Sequence, residues 1–264
     1  SAPLFVFADT DIFAKAPKRL TAAGVSDFLG KYIALADWKI ASILSEEYYC
    51  AEVVNLETRA VRTVKDNLKE IAAGEEEACE KLMYALVLSG LAMQMTGSSR
   101  PASGAEHHLV HLWDMEVVNG HLDALHGEKV SGGTMLVLLE YKKIADAIRR
   151  GTCKVHTCTE EDQELLKETF GKKGILGALE KENTPEPLDD VSTRELSDAL
   201  PRILKIIDAL PAVTDMQEMM NTAGCVSRVR DIGLPGEVIE ESLLLAPYTR
   251  RRLSLLRLRK MLTY

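Results

Sequence analysis

Apolar residues recur along most of this chain at the spacing of a helix. From Asp27 to Leu44 they fall at Phe28, Tyr32, Leu35, Trp38 and Ile40, three to four apart, which predicts one long helix. Ala51 to Ala73 is charged and amphipathic and stops at Gly74, a residue suited to a helix C-cap. Glu75, Glu76 and Glu77 open the next helix, where acidic side chains complement the positive end of the dipole. That helix continues through Leu82 to Met95, apolar on nearly every face, and is expected to lie centrally buried. The small-residue loop Gly97 to Gly104 follows. A helix is predicted from about Ala105 to Val118, and another from near Gly127 to Arg150, ended by Gly151. Further helices alternate with Pro and Gly to the end of the chain. One strand-like run stands apart, Leu4-Phe5-Val6-Phe7-Ala8, closed by Asp9-Thr10-Asp11. A lone strand needs partners, so residues 1–10 are expected to be the remnant of an upstream domain. The predicted class is all-α, a multi-helix bundle with one short N-terminal strand and a single helical domain over residues 1–264.

Composition agrees. Aromatics are 5% and charged residues 27% of the 264 residues, and Ala, Leu, Glu and Lys favour helix over strand. The formal net charge of -8 argues against nucleic acid or an anionic membrane as partner. No apolar run spans a bilayer, because Ser89, Gln94, Lys142 and Lys143 interrupt the best candidates, so membrane insertion is not expected. No basic region followed by an apolar core marks a leader. The scattered, odd set of cysteines (50, 79, 153, 158 and 225) does not form a disulfide framework, and the cytoplasm is the expected compartment.

The histidines carry the chemistry. Of six, five lie between positions 107 and 126: His107, His108, His111, His121 and His126. Neutral imidazole is the commonest transition-metal ligand, so a metal site is the first explanation. His107 and His111, or His108 and His111, share a helix face, whereas His107 and His108 point about 100° apart and do not serve the same ion. Glu106 and Asp114 are nearby carboxylates. Spacing leaves open a local His107–His111 pair or a site that joins two helices through His126. Cys153-x-x-His156-x-Cys158 brings ligands close but lacks an evident fourth for structural zinc, and is expected to be an ordinary loop. The basic run Arg250-Arg251-Arg252, with Arg257, Arg259 and Lys260, is expected to be a solvated face, with contact to a nucleotide phosphate as the alternative.

The stretch Gly97-Ser98-Ser99-Arg100-Pro101-Ala102-Ser103-Gly104-Ala105-Glu106-His107-His108 resembles bacterial sn-glycerol-1-phosphate dehydrogenases. So do Leu125-His126-Gly127-Glu128-Lys129-Val130, the segment Ala22 to Asp27 with Lys31, Ala36, Asp37 and Trp38, and the C-terminal Ala246 to Arg252. These enzymes belong to the iron-containing alcohol dehydrogenase and glycerol dehydrogenase superfamily, which shares its fold with dehydroquinate synthase. The resemblance implies that the chain is the helical domain of that fold, preceded by a nucleotide-binding domain, and that alone it is inactive. It implies one Asp and two His as ligands, transferred here onto Asp27, His108 and His126, with Asp27 at the start of the first long helix. It makes His111 a second active-site histidine and the ion zinc, nickel or iron. It also implies NAD or NADP as cofactor, held by the missing domain, and dihydroxyacetone phosphate, a small phosphorylated triose, as substrate. For the phosphate, Arg100 with Ser98 and Ser99 is the expected cradle, assisted by Lys31 or Lys129. Ser26 stands where relatives usually carry Gly before the Asp. A homo-oligomer is expected. The other readings are a polyol dehydrogenase acting on an unphosphorylated substrate such as glycerol, and a truncated metal-binding scaffold without catalysis.

Overall fold

The computed structural model describes residues 3–158 and 163–264. The described residues fold into helices α1 (Thr10–Ala14), α2 (Lys18–Leu29), α3 (Lys31–Leu44), α4 (Ala51–Lys65), α5 (Leu68–Ala73), α6 (Glu76–Thr96), α7 (Ala105–Asp114), α8 (His126–Arg150), α9 (Gln163–Gly171), α10 (Leu176–Glu182), α11 (Thr193–Asp208), α12 (Val213–Thr222), α13 (Ile239–Leu245) and α14 (Leu255–Leu258). Sheet structure among them is one antiparallel pair of two-residue strands, β1 (Lys154–Val155) and β2 (Leu262–Thr263). The chain is all-α, as the periodicity implies. No helix among the described residues is long and apolar enough to cross a membrane.

The expected N-terminal strand is absent. Leu4, Phe5, Val6 and Phe7 are exposed and carry no ladder partner, and the chain becomes regular only at α1, where the Asp9 side chain accepts from the Ile12 N–H at 3.2 Å. Their continuous apolar run has nothing to pair with among the described residues. Two predicted helices are each split. Asp27 to Leu44 divides at Gly30, so Asp27 lies near the end of α2 and not at the start of a helix. Ala51 to Ala73 divides at Asp66 and Asn67, with Gly74 taking the left-handed cap conformation foreseen for it (φ 85°).

Helix α8 is the central element. Helices α2, α7, α11 and α12 pack around it, and its Val137, Leu138, Tyr141 and Ile144 are fully buried. One buried carboxylate ties this core together. Asp37 of α3 accepts hydrogen bonds from the Tyr141 hydroxyl of α8 (2.6 Å), the Leu255 N–H at the head of α14 (2.9 Å) and the Ala105 N–H at the head of α7 (2.8 Å). Burial pushes the Asp37 carboxyl up to about 6 against these three bonds. The network fixes the first turn of α7, and with it the histidines that turn carries.

Candidate metal centre

Three side chains from three helices converge. Asp27 lies near the end of α2, His107 in the first turn of α7, and His126 is the first residue of α8. Two glycines bring the helices close enough. A Cβ on Gly127 would stand 2.0 Å from the Ala23 carbonyl oxygen, so only glycine lets the start of α8 rest on α2 one turn before Asp27. A Cβ on Gly133 would stand 2.7 Å from the Glu106 carbonyl oxygen, where α7 crosses α8.

The ligand atoms of Asp27, His107 and His126 lie within 4.8 Å of one another. His107 Nε2 is 3.3 Å and His126 Nε2 3.7 Å from the same Asp27 oxygen, Oδ1. The other oxygen, Oδ2, is held by Lys31 Nζ at 3.3 Å. Opposite Asp27, Glu106 fixes the His107 ring, accepting at 2.8 Å from Nδ1 and at 2.8 Å from the Gly104 N–H. With Nδ1 engaged, Nε2 is the nitrogen free for an ion, an arrangement in which a buried carboxylate orients a ligating imidazole. The His126 ring tilts against His107 with centroids 5.3 Å apart, and its side chain is 54% exposed, so the cluster opens to solvent on the His126 side.

The charges are arranged to match. Burial alone would keep His107 neutral, but Asp27 and Glu106 outweigh it and raise the imidazole to about 9. Burial likewise opposes ionisation of Asp27, yet the His107 hydrogen bond and the Lys31 ammonium hold its carboxyl well below the usual range. Burial and the His107 charge lower His126. One carboxylate and two imidazoles suit a borderline divalent ion such as zinc, nickel or iron, and the residues present fit that group.

Of the three expected ligands, Asp27 and His126 come together and His108 does not. His107 takes its place. The roughly 100° step between adjacent helix positions turns His108 into the core, where it is fully buried, both ring nitrogens lack a hydrogen-bond partner among the described residues, and burial followed by the nearby Arg252 and Arg100 drives its pKa well below normal. His111 sits one turn beyond His107 on the same face, half-buried, its pKa lowered to about 4 by burial and then by Arg250. The expected phosphate cradle is already engaged. Arg100 is buried, donates through Nε and Nη2 to both oxygens of Glu47 at 2.5 Å each, and through Nη1 to the Leu253 carbonyl at 2.9 Å. Ser98 accepts from the Arg100 N–H and Ser99 from Arg252 Nη2. Lys31 is spent on Asp27, and Lys129 on Asp114 at 2.6 Å. His121 is exposed and pairs with Glu116. Cys153, His156 and Cys158 form no ligand cluster among the described residues. The resemblance puts His108 where the structure has His107, which spacing leaves open only as a pair with His111, and Glu106 reads from sequence only as a nearby carboxylate; the adjacent pair Glu106-His107 at the head of a helix is the signal that marks them.

No family model matches the chain. Curated proteins do. A protein of Halalkalibacterium halodurans named glycerol-1-phosphate dehydrogenase, NAD(P)+, is 34% identical over 256 residues, 97% of this chain. The chain is a relative of the glycerol-1-phosphate dehydrogenases. A protein of the same name from Geobacillus thermodenitrificans is 32% identical over 92% of the chain, and one from Pyrococcus horikoshii 39% identical over 56% of it. The chain spans about half the length of these dehydrogenases, 56% of the first, 53% of the second and 43% of the third.

Proposed function

We propose that this chain supplies the metal- and substrate-binding half of an NAD(P)-dependent glycerol-1-phosphate dehydrogenase site, for the interconversion of dihydroxyacetone phosphate and sn-glycerol 1-phosphate. One observation carries the reading: a carboxylate and two imidazoles converge, with the buried imidazole oriented by Glu106, in a relative of enzymes of that name. The residues that would hold the ion are Asp27, His107 and His126. A divalent ion there would polarise the substrate carbonyl, and a nicotinamide held by a domain outside this chain would supply hydride.

The chain's own side chains set the stage for that chemistry. Lys31, almost fully buried, neutralises the Asp27 oxygen turned away from the histidines and leaves Oδ1 for the ion. Glu106 holds His107 in one tautomer and one orientation. His111, with a pKa near 4, is neutral at neutral pH. It therefore acts as a hydrogen-bonding group, donating from one ring nitrogen and accepting at the other, and holds the substrate hydroxyl or a water that relays its proton.

Titrating the chain with zinc or nickel by calorimetry tests the reading. One equivalent is expected to bind, and Asp27→Ala and His107→Ala are each expected to abolish binding. A wild-type chain that takes up no ion, or a variant pair that binds as wild type does, defeats it. The chain alone is expected to show no oxidation of NADH with dihydroxyacetone phosphate.

A further inference from the structure

We propose that Arg250 binds the phosphate group of the substrate beside the metal centre. The inference rests on the dehydrogenase reading above and names the residue that would make the site prefer a phosphorylated triose over a free polyol.

A phosphate dianion needs a cation with donors to spare. Around the centre, Lys31, Lys129 and Arg100 are each held by a carboxylate. The basic C-terminal run is mostly engaged too. Arg251 Nε donates to the Pro185 carbonyl at 2.7 Å, Arg252 binds Ser99 and the Ser103 carbonyl, and Arg257 binds Glu186 and Asn183. Arg259 pairs with Glu140, and Lys260 bonds the Tyr248 hydroxyl. The Arg250 side chain differs: it is exposed and makes no hydrogen bond or ion pair with any described residue.

Its backbone, by contrast, is fixed. The neighbouring Thr249, buried, donates from its hydroxyl to the Ala246 carbonyl at 2.8 Å and to the His108 carbonyl of α7 at 3.3 Å. The Arg250 carbonyl itself accepts from the Arg252 N–H at 2.8 Å and from Arg257 Nη1 at 3.1 Å. These bonds seat residue 250 against α7 at the level of His108. After burial, the Arg250 guanidinium is the largest cause of the lowered His111 pKa. His111 in turn lies one turn from His107 on the same helix face. Residue 250 thus lies beside the turn of α7 that carries His108 and runs from His107 to His111, with its guanidinium unengaged among the described residues. In dihydroxyacetone phosphate the phosphorus is three bonds from the carbonyl carbon, so a cation beside the ion, and not on it, is what the substrate requires. A rigid backbone under a free guanidinium is the form of a ligand-binding arginine, since the donors are placed without being occupied.

The test uses the zinc-loaded chain and two probes, sn-glycerol 1-phosphate and glycerol, followed by calorimetry and by 31P resonance of the phosphate ester. Wild type is expected to bind the ester more tightly than glycerol. Arg250→Gln is expected to weaken the ester about 10- to 100-fold, the loss of charge-assisted bonds to one anion, while zinc affinity and the weak binding of glycerol stay as in wild type. Arg250→Lys is expected to recover part of the loss. An Arg250→Gln chain that binds zinc and the ester as wild type does overturns the inference, and so does a zinc-loaded wild type that treats the ester and glycerol alike. Failure of zinc to bind wild type is a different result, and removes the dehydrogenase reading itself.

Discussion

At the scale of residues, the outcome turns on a single helical step. His107 and His108 have the same chemistry, and sequence spacing says only that they cannot serve one ion together. The choice between them is made by Asp37, which holds the head of α7, and by Gly133, which sets how closely α7 lies on α8. Neither constraint is visible in the motif. His107→Ala is expected to abolish zinc binding. His108→Ala is expected to leave the stoichiometry at one while costing stability by about 2–3 kcal/mol through the cavity it opens. His121→Ala changes neither. Calorimetry with parallel thermal melts separates the three; equal losses of zinc in all three variants would mean a loose histidine cluster and no defined centre. Glu106→Gln is expected to keep the fold and weaken zinc about 10- to 100-fold, as loss of an orienting carboxylate does. An unchanged affinity would show that Glu106 serves only the Gly104 N–H.

Elements were legible where a local device ends them and obscure where tertiary contacts decide. Gly74, Gly97 and Gly151 close α5, α6 and α8 with positive φ, and each helix stop could be read from the sequence. The break at Gly30 could not, because the apolar spacing of α2 and α3 runs through it and both helices remain helical up to the glycine itself. Helix α6 misled in another way. Its apolar run suggested a central helix, but Tyr84, Val87, Leu91 and Met95 face outward and are exposed, while only one side packs on α4 and α1. An apolar sequence says that surface is to be covered, not by which element. The glycine at the α2–α8 junction gives the element-scale prediction. Gly127→Ala is expected to force α8 off α2, because its Cβ would meet backbone and not a movable side chain. A stability loss of about 2 kcal/mol or more and a loss of zinc binding should accompany it. Gly171→Ala, with open space around it, is the control and should match wild type in both measurements. A Gly127→Ala chain that binds zinc normally would show that the ligands do not depend on this contact.

For the whole molecule, the same pairing that prepares the ion site makes stability depend on pH and on metal in opposite ways. His107 without an ion is raised to about 9 by Asp27 and Glu106, above the usual value of 6.5 for the unfolded chain. The stability this confers is fully present below 6.5 and is lost as pH rises through 9. Asp27 is depressed, so its share is present above the ordinary carboxylate value of 3.8 and is lost as pH falls through the folded value. Both shifts record one interaction and are counted once, on the order of 3 kcal/mol. Asp37, raised by burial to about 6, acts the other way and removes stability between 3.8 and 6. The histidines with lowered pKa oppose Asp37: His111, lowered to about 4, and His108 and His126, also lowered, add stability as pH rises toward 6.5, where the unfolded imidazole loses its proton. With these included, the metal-free chain is expected to melt highest near pH 6.5 and to lose Tm steadily toward pH 9. Zinc needs a neutral imidazole, so binding displaces the His107 proton and tightens as pH rises over that same interval. The gap in Tm between zinc-loaded and metal-free chain should widen from pH 6.5 to pH 9, and calorimetry in buffers of different ionisation enthalpy should report close to one proton released per zinc at pH 7.5. In Glu106→Gln one of the two carboxylates that raise His107 is gone, so both the alkaline loss and the proton release should shrink together. A zinc-dependent gap that stays constant with pH, or proton release that is zero in wild type, would mean that His107 is neutral before the ion arrives and that Asp27 and Glu106 do not hold it charged.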